Sequence, residues 1–382
     1  MSIVSDITII GAGVAGLSTA CHLTQKNKKL RVTVLEKEKL HGAGATAQCT
    51  GGIRHQFTNP LNIQLTIISY PFFLRFAAEM NYPIYLRRNG YLLVTASGER
   101  IGALEEMKNR LVELEVPAEM RSPREMAAAY PFLRTDDLLG GSFCPLDAYA
   151  DSYGVTEGYY KQCRKNGVQV LLSTAVHSVM VENGTVKGVR AGDTVVESPV
   201  VINAAGPYLH LVAEMADIKL PAEPRRRQVY VCAPLPAVPA GIPLVVDLDT
   251  GFYVHAEKNG ILLLGGTDRD CPPGLENMVD RSLLPGFVEA ATTRIPALID
   301  AQITRIYTGI RSITPDGMGI LGETAVQGFY CVGGFGGNGF MHAPAVGLIT
   351  ACLVLGEKPP LDPAPLSPNR FTGAGPVEVN LF

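Results

Sequence analysis

Nowhere in the 382 residues does an apolar run reach the roughly 18 residues of a membrane-spanning helix, so no membrane span is expected. A basic excess is also missing. Lys and Arg number 33 against 36 Asp and Glu, a formal net charge of -3, which argues against a nucleic-acid partner because phosphate binding needs clustered positive charge. The eight cysteines form no C-x-x-C pair and no Cys/His cluster at metal-ligand spacing, so a reduced, metal-free protein is expected. Met1 to Asp6 carries no basic n-region ahead of the first strand, so the reading is no signal peptide and a cytoplasmic location. Internal repeats are absent too. What the sequence does have is glycine, 40 residues concentrated at 11–16, 42–52 and 333–339. Clustered glycine marks backbone that takes φ > 0 or approaches something closely.

Along the chain, Ile7 to Ile10 reads as a buried parallel strand, Leu17 to about Lys26 as a helix, and Leu30 to Leu35 as a second strand. An amphipathic helix is expected from about Asn59 to Met80, a strand over Tyr91 to Thr95 and a charged surface helix over Ile101 to Leu114. A further helix is read from Asp147 to Lys165, followed by a strand from Val168 to Leu172. Val176 to Val181 and Val186 to Val189 flank Asn183-Gly184, the turn pair that hairpins prefer. Val200 to Asn203 is again a buried strand. Pro221 to Pro243 reads as proline-rich connection leading to strands at Gly251 to His255 and Ile261 to Gly266, and Gly328 to Gly356 as strand, glycine loop, helix. The order implies an α/β Rossmann-type nucleotide domain in three segments (1–84, 145–218, 312–382), interleaved with an α+β substrate domain carrying a large antiparallel sheet (85–144, 219–311).

The G-x-G-x-x-G at Gly11, Gly13 and Gly16 has a strand before it, a helix after it and an acidic residue, Glu36, at the end of the next strand. Gly11 allows the tight turn, Gly13 lets backbone reach a pyrophosphate, and Gly16 permits close helix–strand packing. With Val14 and Ala15, the helix N-terminus offers free N–H groups and a partial positive charge to phosphates. Glu36, with Lys37 beside it, suits the ribose hydroxyls of an adenosine. An NAD enzyme usually continues with further βα units at short spacing. This chain instead departs into the glycine loop 42–52, which favours FAD.

GAGVAG, GAGATAQCTGGIRHQF (42–57), NAAGPY (203–208), GIRSITPDGMGILG (309–322) and GGFGGNGFMHAPAVG (333–347) follow one another in this order. Together they resemble the FAD-dependent amine and amino-acid oxidoreductases, a family that includes D-amino acid oxidase, glycine oxidase and sarcosine oxidase. The resemblance is nearest to the β subunits of sarcosine oxidase and L-proline dehydrogenase, and it spans essentially the whole chain. It implies non-covalent FAD with Ala43, Thr46, Ala47, Thr50, Gly51 and Gly52 near the pyrophosphate and ribityl chain, and Val176 meeting the adenine. It also implies Ala204, Ala205 and Gly206 beside the dinucleotide. Gly334, Gly336, Gly337, Asn338, Gly339, Phe340 and Met341, with Arg311, would lie at the flavin. Physically, amides of the 336–339 loop can point at the flavin where electron transfer places negative charge.

On the substrate side, an amino-acid carboxylate needs a cation, and Arg binds it bidentately. Arg311 resembles the carboxylate-binding arginine of glycine oxidase. Arg54 resembles an arginine beside the flavin in sarcosine oxidase, or else makes a structural ion pair at the domain junction. Tyr253 resembles a substrate-pocket tyrosine, or is a core residue of its strand, while His255 at the strand end reads as structural. Met341 stands where sarcosine oxidase carries a second carboxylate-binding lysine. The stretch between Lys258 and Lys358 contains no lysine, so that enzyme's oxygen-activating cation is missing. Arg54, His55 or Arg269 are the remaining candidates for that charge. Cys49 reads as a buried, unreactive thiol. The expected activity is oxidation of the C–N bond of a small amino acid or secondary amine, of the glycine, sarcosine or proline kind, by hydride transfer to flavin N5, giving an imine that hydrolyses. The electron acceptor would be oxygen, a quinone or a partner flavoprotein. The alternative is a flavin-carrying subunit of a hetero-oligomer with little activity alone.

Overall fold

In the computed structural model, which describes residues 2–268, 270–372 and 377–378, the apolar quartet Ile7–Ile10 is buried at all four positions. It lies inside a six-stranded sheet ordered Gln169–Leu171, Val32–Leu35, Ile7–Ile10, Val201–Asn203, Phe329–Gly333, Ile320–Glu323. The first five strands are parallel and the last is an antiparallel edge. Side chains alternate between two apolar layers, as the pleat requires. Ile7, Ile9, Val32 and Val34 pack with Leu17, Leu23 and Ile349 of the helices Val14–Lys26 and Gly339–Val354. Ile10, Leu35 and Val201 pack instead with Val186, Val189 and Val196 of a small four-stranded sheet. That sheet contains the expected hairpin, with Asn183 at φ 51° and Gly184 at φ 73°, both positive as its two-residue turn demands.

A second, eight-stranded sheet is ordered Ile303–Ile313, Glu223–Cys232, Leu262–Gly265, Tyr253–Ala256, Leu244–Asp247, Tyr91–Thr95, Gly140–Cys144, Glu119–Arg121. Every pair in it is antiparallel except Leu244–Asp247 with Tyr91–Thr95. Its outer face packs on the helix Leu284–Arg294, where Phe287 stacks on Tyr230 at 3.7 Å between ring centroids. The inner face turns toward the six-stranded sheet and closes the cavity described below.

Three elements depart from the sequence reading. The helix expected from Asp147 begins at Ser152, because Asp151 is the capping residue, its carboxylate accepting from Tyr153 N at 3.0 Å. Ala148–Ala150 is instead a strand paired with Gly52–Ile53 and Leu86–Arg87. Within the supposed proline-rich connection, Glu223–Cys232 is a ten-residue strand paired along its length with Ile303–Ile313. Pro224 is tolerated near its start, where a missing N–H costs little, and Arg225-Arg226-Arg227 hides the apolar alternation that would mark a strand. The first helix starts at Val14 rather than Leu17, directly on the glycine turn. Among the described residues, no helix is long and apolar enough to cross a membrane.

Candidate active site

A cavity of about 600 Å³ runs between the two large sheets, from Glu36 and Lys37 at one end to Arg311 and Tyr253 at the other. Two helices start at it, the first with Val14 N held by Thr46 Oγ1 and its other leading amides open. Gly13 and Asn338, the residues preceding Val14–Lys26 and Gly339–Val354, contribute no side-chain cap, so backbone N–H groups are left to face an anion. Gly11 takes φ +107°, and a Cβ there would stand 2.5 Å from Ala204 O, so only glycine turns the chain this tightly. Glu36 also holds the turn, its Oε2 accepting from Ala12 N at 2.8 Å and its Oε1 from Glu38 N at 3.0 Å. A carboxylate has about four acceptor sites, so capacity for ribose hydroxyls is left. Thr46 ties the second glycine loop to the helix start, with Oγ1 accepting from Val14 N at 3.2 Å.

Nearly all the residues expected at the cofactor meet in this one cavity. Gly11, Gly13, Val14, Ala15, Glu36 and Lys37 line it with Ala43, Thr46, Thr50, Gly51, Gly52 and Val176. Ala204, Ala205 and Gly206 join them, as do Gly334, Gly336, Gly337, Asn338, Gly339, Phe340, Met341 and Arg311. Gly16 and Ala47 do not line it. Gly16 packs against Gly11 O behind the turn, and Ala47 N closes the second loop on Gly42 O at 3.0 Å. In the C-terminal loop, Gly336 N is committed to Ser312 O at 2.8 Å and Asn338 N to Phe335 O at 2.8 Å. Among the described residues, the amides of Gly337, Gly339 and Phe340 have no such acceptor, so they are the donors available to a ligand. Two helix N-termini, a glycine cradle and an elongated cavity of this size fit a dinucleotide.

At the other end, Arg311 lies on the inner face of the strand Ile303–Ile313, and a Cβ on Gly337 would stand 3.0 Å from its Nη1. The guanidinium therefore rests against the backbone of the glycine loop, with little room for a side chain at Gly337. Tyr253 starts its strand with its ring in the cavity wall, and burial pushes its phenol up to about 12, so it stays protonated. Arg54 lines the cavity and is a tether as well. Its guanidinium sits 3.9 Å over the Phe57 ring, donates to Gln56 O and reaches Asn338 Oδ1 at 3.5 Å, joining the second glycine loop to the third. His55 does not line the cavity. Its Nδ1 lies 2.8 Å from Asp147 Oδ1, and that carboxylate also accepts from His55 N at 2.6 Å and Gln56 Nε2 at 3.0 Å. Cys144 lies close enough to His55 and Asp147 for the three to share an ion, although the Asp147 oxygens are already hydrogen-bonded. His255 is wholly buried beside Tyr149, with ring centroids 4.7 Å apart, and takes no part in the cavity. Cys49 faces the cavity, but burial pushes its thiol up, which keeps it protonated. Arg269 lies outside the described residues.

Sequence reasoning missed several lining residues. Tyr91, Leu244, Val246, Val229 and Arg227 come from the inner face of the eight-stranded sheet, and Leu275 and Asn277 from the loop after it. Strand alternation could have given the first of these, but Arg227 sat in a stretch not read as a strand.

The chain matches the family described as "FAD dependent oxidoreductase" (DAO) over residues 6–353. It belongs to that family. It is similar to FAD-dependent oxidoreductase domain-containing protein 1 of Xenopus laevis, 28% identical over 92% of this chain and 79% of that one. Mitochondrial dimethylglycine dehydrogenase of Rattus norvegicus is 26% identical over 96% of this chain, which spans 45% of that protein's length. Among solved structures, L-proline dehydrogenase from P. horikoshii superposes with a TM-score of 0.90 at 27% identity, covering 97% of this chain and 98% of that one. This DAO chain is therefore an FAD-dependent oxidoreductase, with the α/β cofactor fold and large antiparallel-rich sheet expected of it.

Proposed function

We propose that this chain oxidises the C–N bond of a small amino acid or secondary amine of the glycine, sarcosine or proline kind. The observation that carries the reading is the Arg311 guanidinium resting on Gly337, at the loop whose free amides line the cavity. A carboxylate held bidentately there has its α-carbon beside the redox centre. Bound FAD supplies the two-electron acceptor for the α C–H bond. The chain's own residues do the rest. The amides of Gly13 and Ala15 would receive the pyrophosphate, with Gly11 and Val14 holding the turn against Leu35 O and Thr46, Glu36 would take the ribose, and the amides of Gly337, Gly339 and Phe340 would hold the flavin. Arg311 fixes the substrate, while Tyr253 and Tyr91 wall the reacting carbon from water. An amine held neutral there would, on losing its α hydride to the cofactor, become an iminium ion, which would release its N–H proton to solvent or be hydrolysed by water once it leaves the wall. No side chain need serve as a base, since orientation alone supplies much of such a barrier.

The cofactor is proposed to be non-covalent, since Cys49 is a protonated thiol; acid precipitation then leaves the yellow colour in the supernatant, and colour retained in the pellet counts against it. The cofactor-binding segments are proposed as 1–84, 145–218 and 312–382. All strands of the six-stranded sheet fall within them, while those of the eight-stranded sheet fall within 91–144 and 223–313. L-proline dehydrogenase and dimethylglycine dehydrogenase, by name, act on secondary and tertiary amino acids, which supports this substrate class. The deciding experiment is an anaerobic panel of glycine, sarcosine, proline and N,N-dimethylglycine against the purified chain, following the flavin absorbance. Bleaching by at least one supports the reading. Bleaching by none sinks it and favours a flavin-carrying subunit that needs partners.

A further inference from the structure

Glu378 stands 320 positions along the chain from Thr58, yet its carboxylate is buried against that residue. Oε1 accepts from Thr58 N at 2.9 Å and Thr58 Oγ1 at 2.7 Å, and Oε2 from Asn59 N at 3.0 Å and Asn62 Nδ2 at 2.9 Å. Both oxygens are thus engaged at the start of the helix Pro60–Met80, where the helix dipole favours negative charge. These donors are neutral groups, so the charge of the carboxylate reaches beyond them. The backbone of Glu378 is held as well, its N donating to Asp316 O at 2.9 Å. Asp316 belongs to the turn between Ile303–Ile313 and Ile320–Glu323, and Thr314 and Gly317 of that turn line the cavity. Four residues before Thr58, Arg54 presents a cation in the cavity wall. Its guanidinium packs over Phe57, the neighbour of Thr58, and its carbonyl accepts from Thr66 Oγ1 at 2.9 Å, on the helix that Glu378 caps. Burial disfavours the charged guanidinium, and of the carboxylates that offset this, Glu378 acts more strongly than Asp147.

We propose that Glu378 is a positioning residue of the redox site: it secures the segment that carries Arg54, and its buried negative charge offsets that cation and lowers the midpoint potential of the flavin. This rests on the reading that the flavin lies against Arg54 and the 336–339 loop. Electrons arriving on a flavin add negative charge, which the Arg54 cation favours and the Glu378 carboxylate opposes. With both charges in place, the reduced cofactor hands its electrons to an acceptor more readily than Arg54 alone would allow.

The test is the flavin midpoint potential of the FAD-loaded full chain, measured by equilibrium with reference dyes in the absence of substrate. E378Q keeps the size of the side chain and removes its charge. It should favour the reduced flavin about tenfold, an upward shift of about 30 mV for a two-electron couple. E378D keeps the charge on a shorter arm, and should lower the melting temperature while the potential stays near that of the wild type. R54Q should move the potential the opposite way from E378Q. An E378Q potential equal to the wild type overturns the proposal. So does an E378D shift as large as that of E378Q, because loosening alone then accounts for both. Melting in saturating FAD is the second measurement, and it serves even where E378Q holds its cofactor poorly. Coupled charges predict that R54Q/E378Q loses less stability than the two single variants combined, since removing both leaves no uncompensated buried charge. Additive losses overturn the pairing. A potential that R54Q shifts and E378Q does not keeps the flavin beside Arg54 and removes the role of Glu378, whereas a potential that neither shifts removes both. An E378Q shift without bleaching by any amine keeps the role of Glu378 and removes the oxidation reading.

Discussion

Arg311 is the residue on which the proposed chemistry turns, and it packs against a residue with no side chain. The guanidinium lies where a Cβ on Gly337 would stand 3.0 Å from Nη1, so the loop and the arginine are matched. R311Q is expected to retain FAD and to raise the amino-acid concentration for half-reduction by at least tenfold, because leaving a buried carboxylate without its charge partner costs roughly 2–5 kcal/mol. An R311Q protein with unchanged substrate dependence would assign the residue to packing. Gly337→Ala makes a finer test. Its methyl should displace the guanidinium by a few tenths of an ångström and weaken substrate binding while FAD content stays full. Measuring both quantities on one preparation separates the two effects, and an unaltered half-reduction point would place Arg311 off the loop.

At the scale of elements, the glycine turn and helix Val14–Lys26 form a binding device that folds on local instructions. Gly11 supplies the positive φ, and Glu36 cross-braces the turn through Ala12 N and Glu38 N. Glu36→Lys removes both acceptors and places a cation where ribose hydroxyls need acceptors. FAD content after dialysis should fall well below one per chain, while secondary structure by circular dichroism persists. Full FAD retention would move the adenosine away from Glu36. Arg54 serves at the same scale, binding the second and third glycine loops together through Gln56 O and Asn338 Oδ1. Its tethering explains why an arginine can sit almost wholly buried in the cavity wall.

For the whole molecule, two consequences follow from where charge is allowed. His22 and His255 are buried and pushed down to about 4, and His342 to about 3, in each case chiefly by burial. Their folded forms are neutral. Between pH 6.5 and about 4 the unfolded chain binds protons that the folded chain refuses, so stability is full above that window and falls as pH drops through it. Melting temperature should therefore decline from pH 7 to pH 5, with a shallower slope in His255→Leu, whose ring nitrogens have no hydrogen-bond partner among the described residues. An identical slope would mean that His255 protonates freely when folded. The second consequence concerns oxygen. No lysine occurs between Lys258 and Lys358, and the cations lining the substrate end are arginines. Superoxide formation needs a nearby positive charge, and here Arg311 is proposed to be engaged by substrate, while Arg54 is held by Gln56 O and Asn338 Oδ1 and Arg227 by Arg226 O and Asp268 O. Reduced flavin is expected to pass electrons to a dye or quinone faster than to oxygen in stopped-flow mixing. Faster reoxidation by oxygen would make this an oxidase, whereas increased oxygen reactivity in Thr267→Lys would show that a cation just past the strand Leu262–Gly265 reaches the flavin.

The cofactor half of the site was legible in the amino-acid order because it is local. Strand, glycine turn, helix, second strand and Glu36 follow within one βαβ stretch, and the glycines at 42–52 and 333–339 announce close backbone approach without any knowledge of what they approach. The substrate half was legible only where a resemblance pointed to a residue, as for Arg311 and Tyr253. The tertiary structure alone decided the rest. The eight-stranded sheet joins 91–144 to 223–313, so which residues share its inner face depends on register between strands far apart in the chain. That register places Arg227 diagonal to Arg311, although three successive arginines disguised the strand that carries it. His255 shares the face of Tyr253 but lies two residues along, buried against Tyr149 and outside the cavity. Local preference sets a turn or a helix start, but the face on which a mid-strand side chain emerges is set by pairing, and pairing is a property of the folded chain.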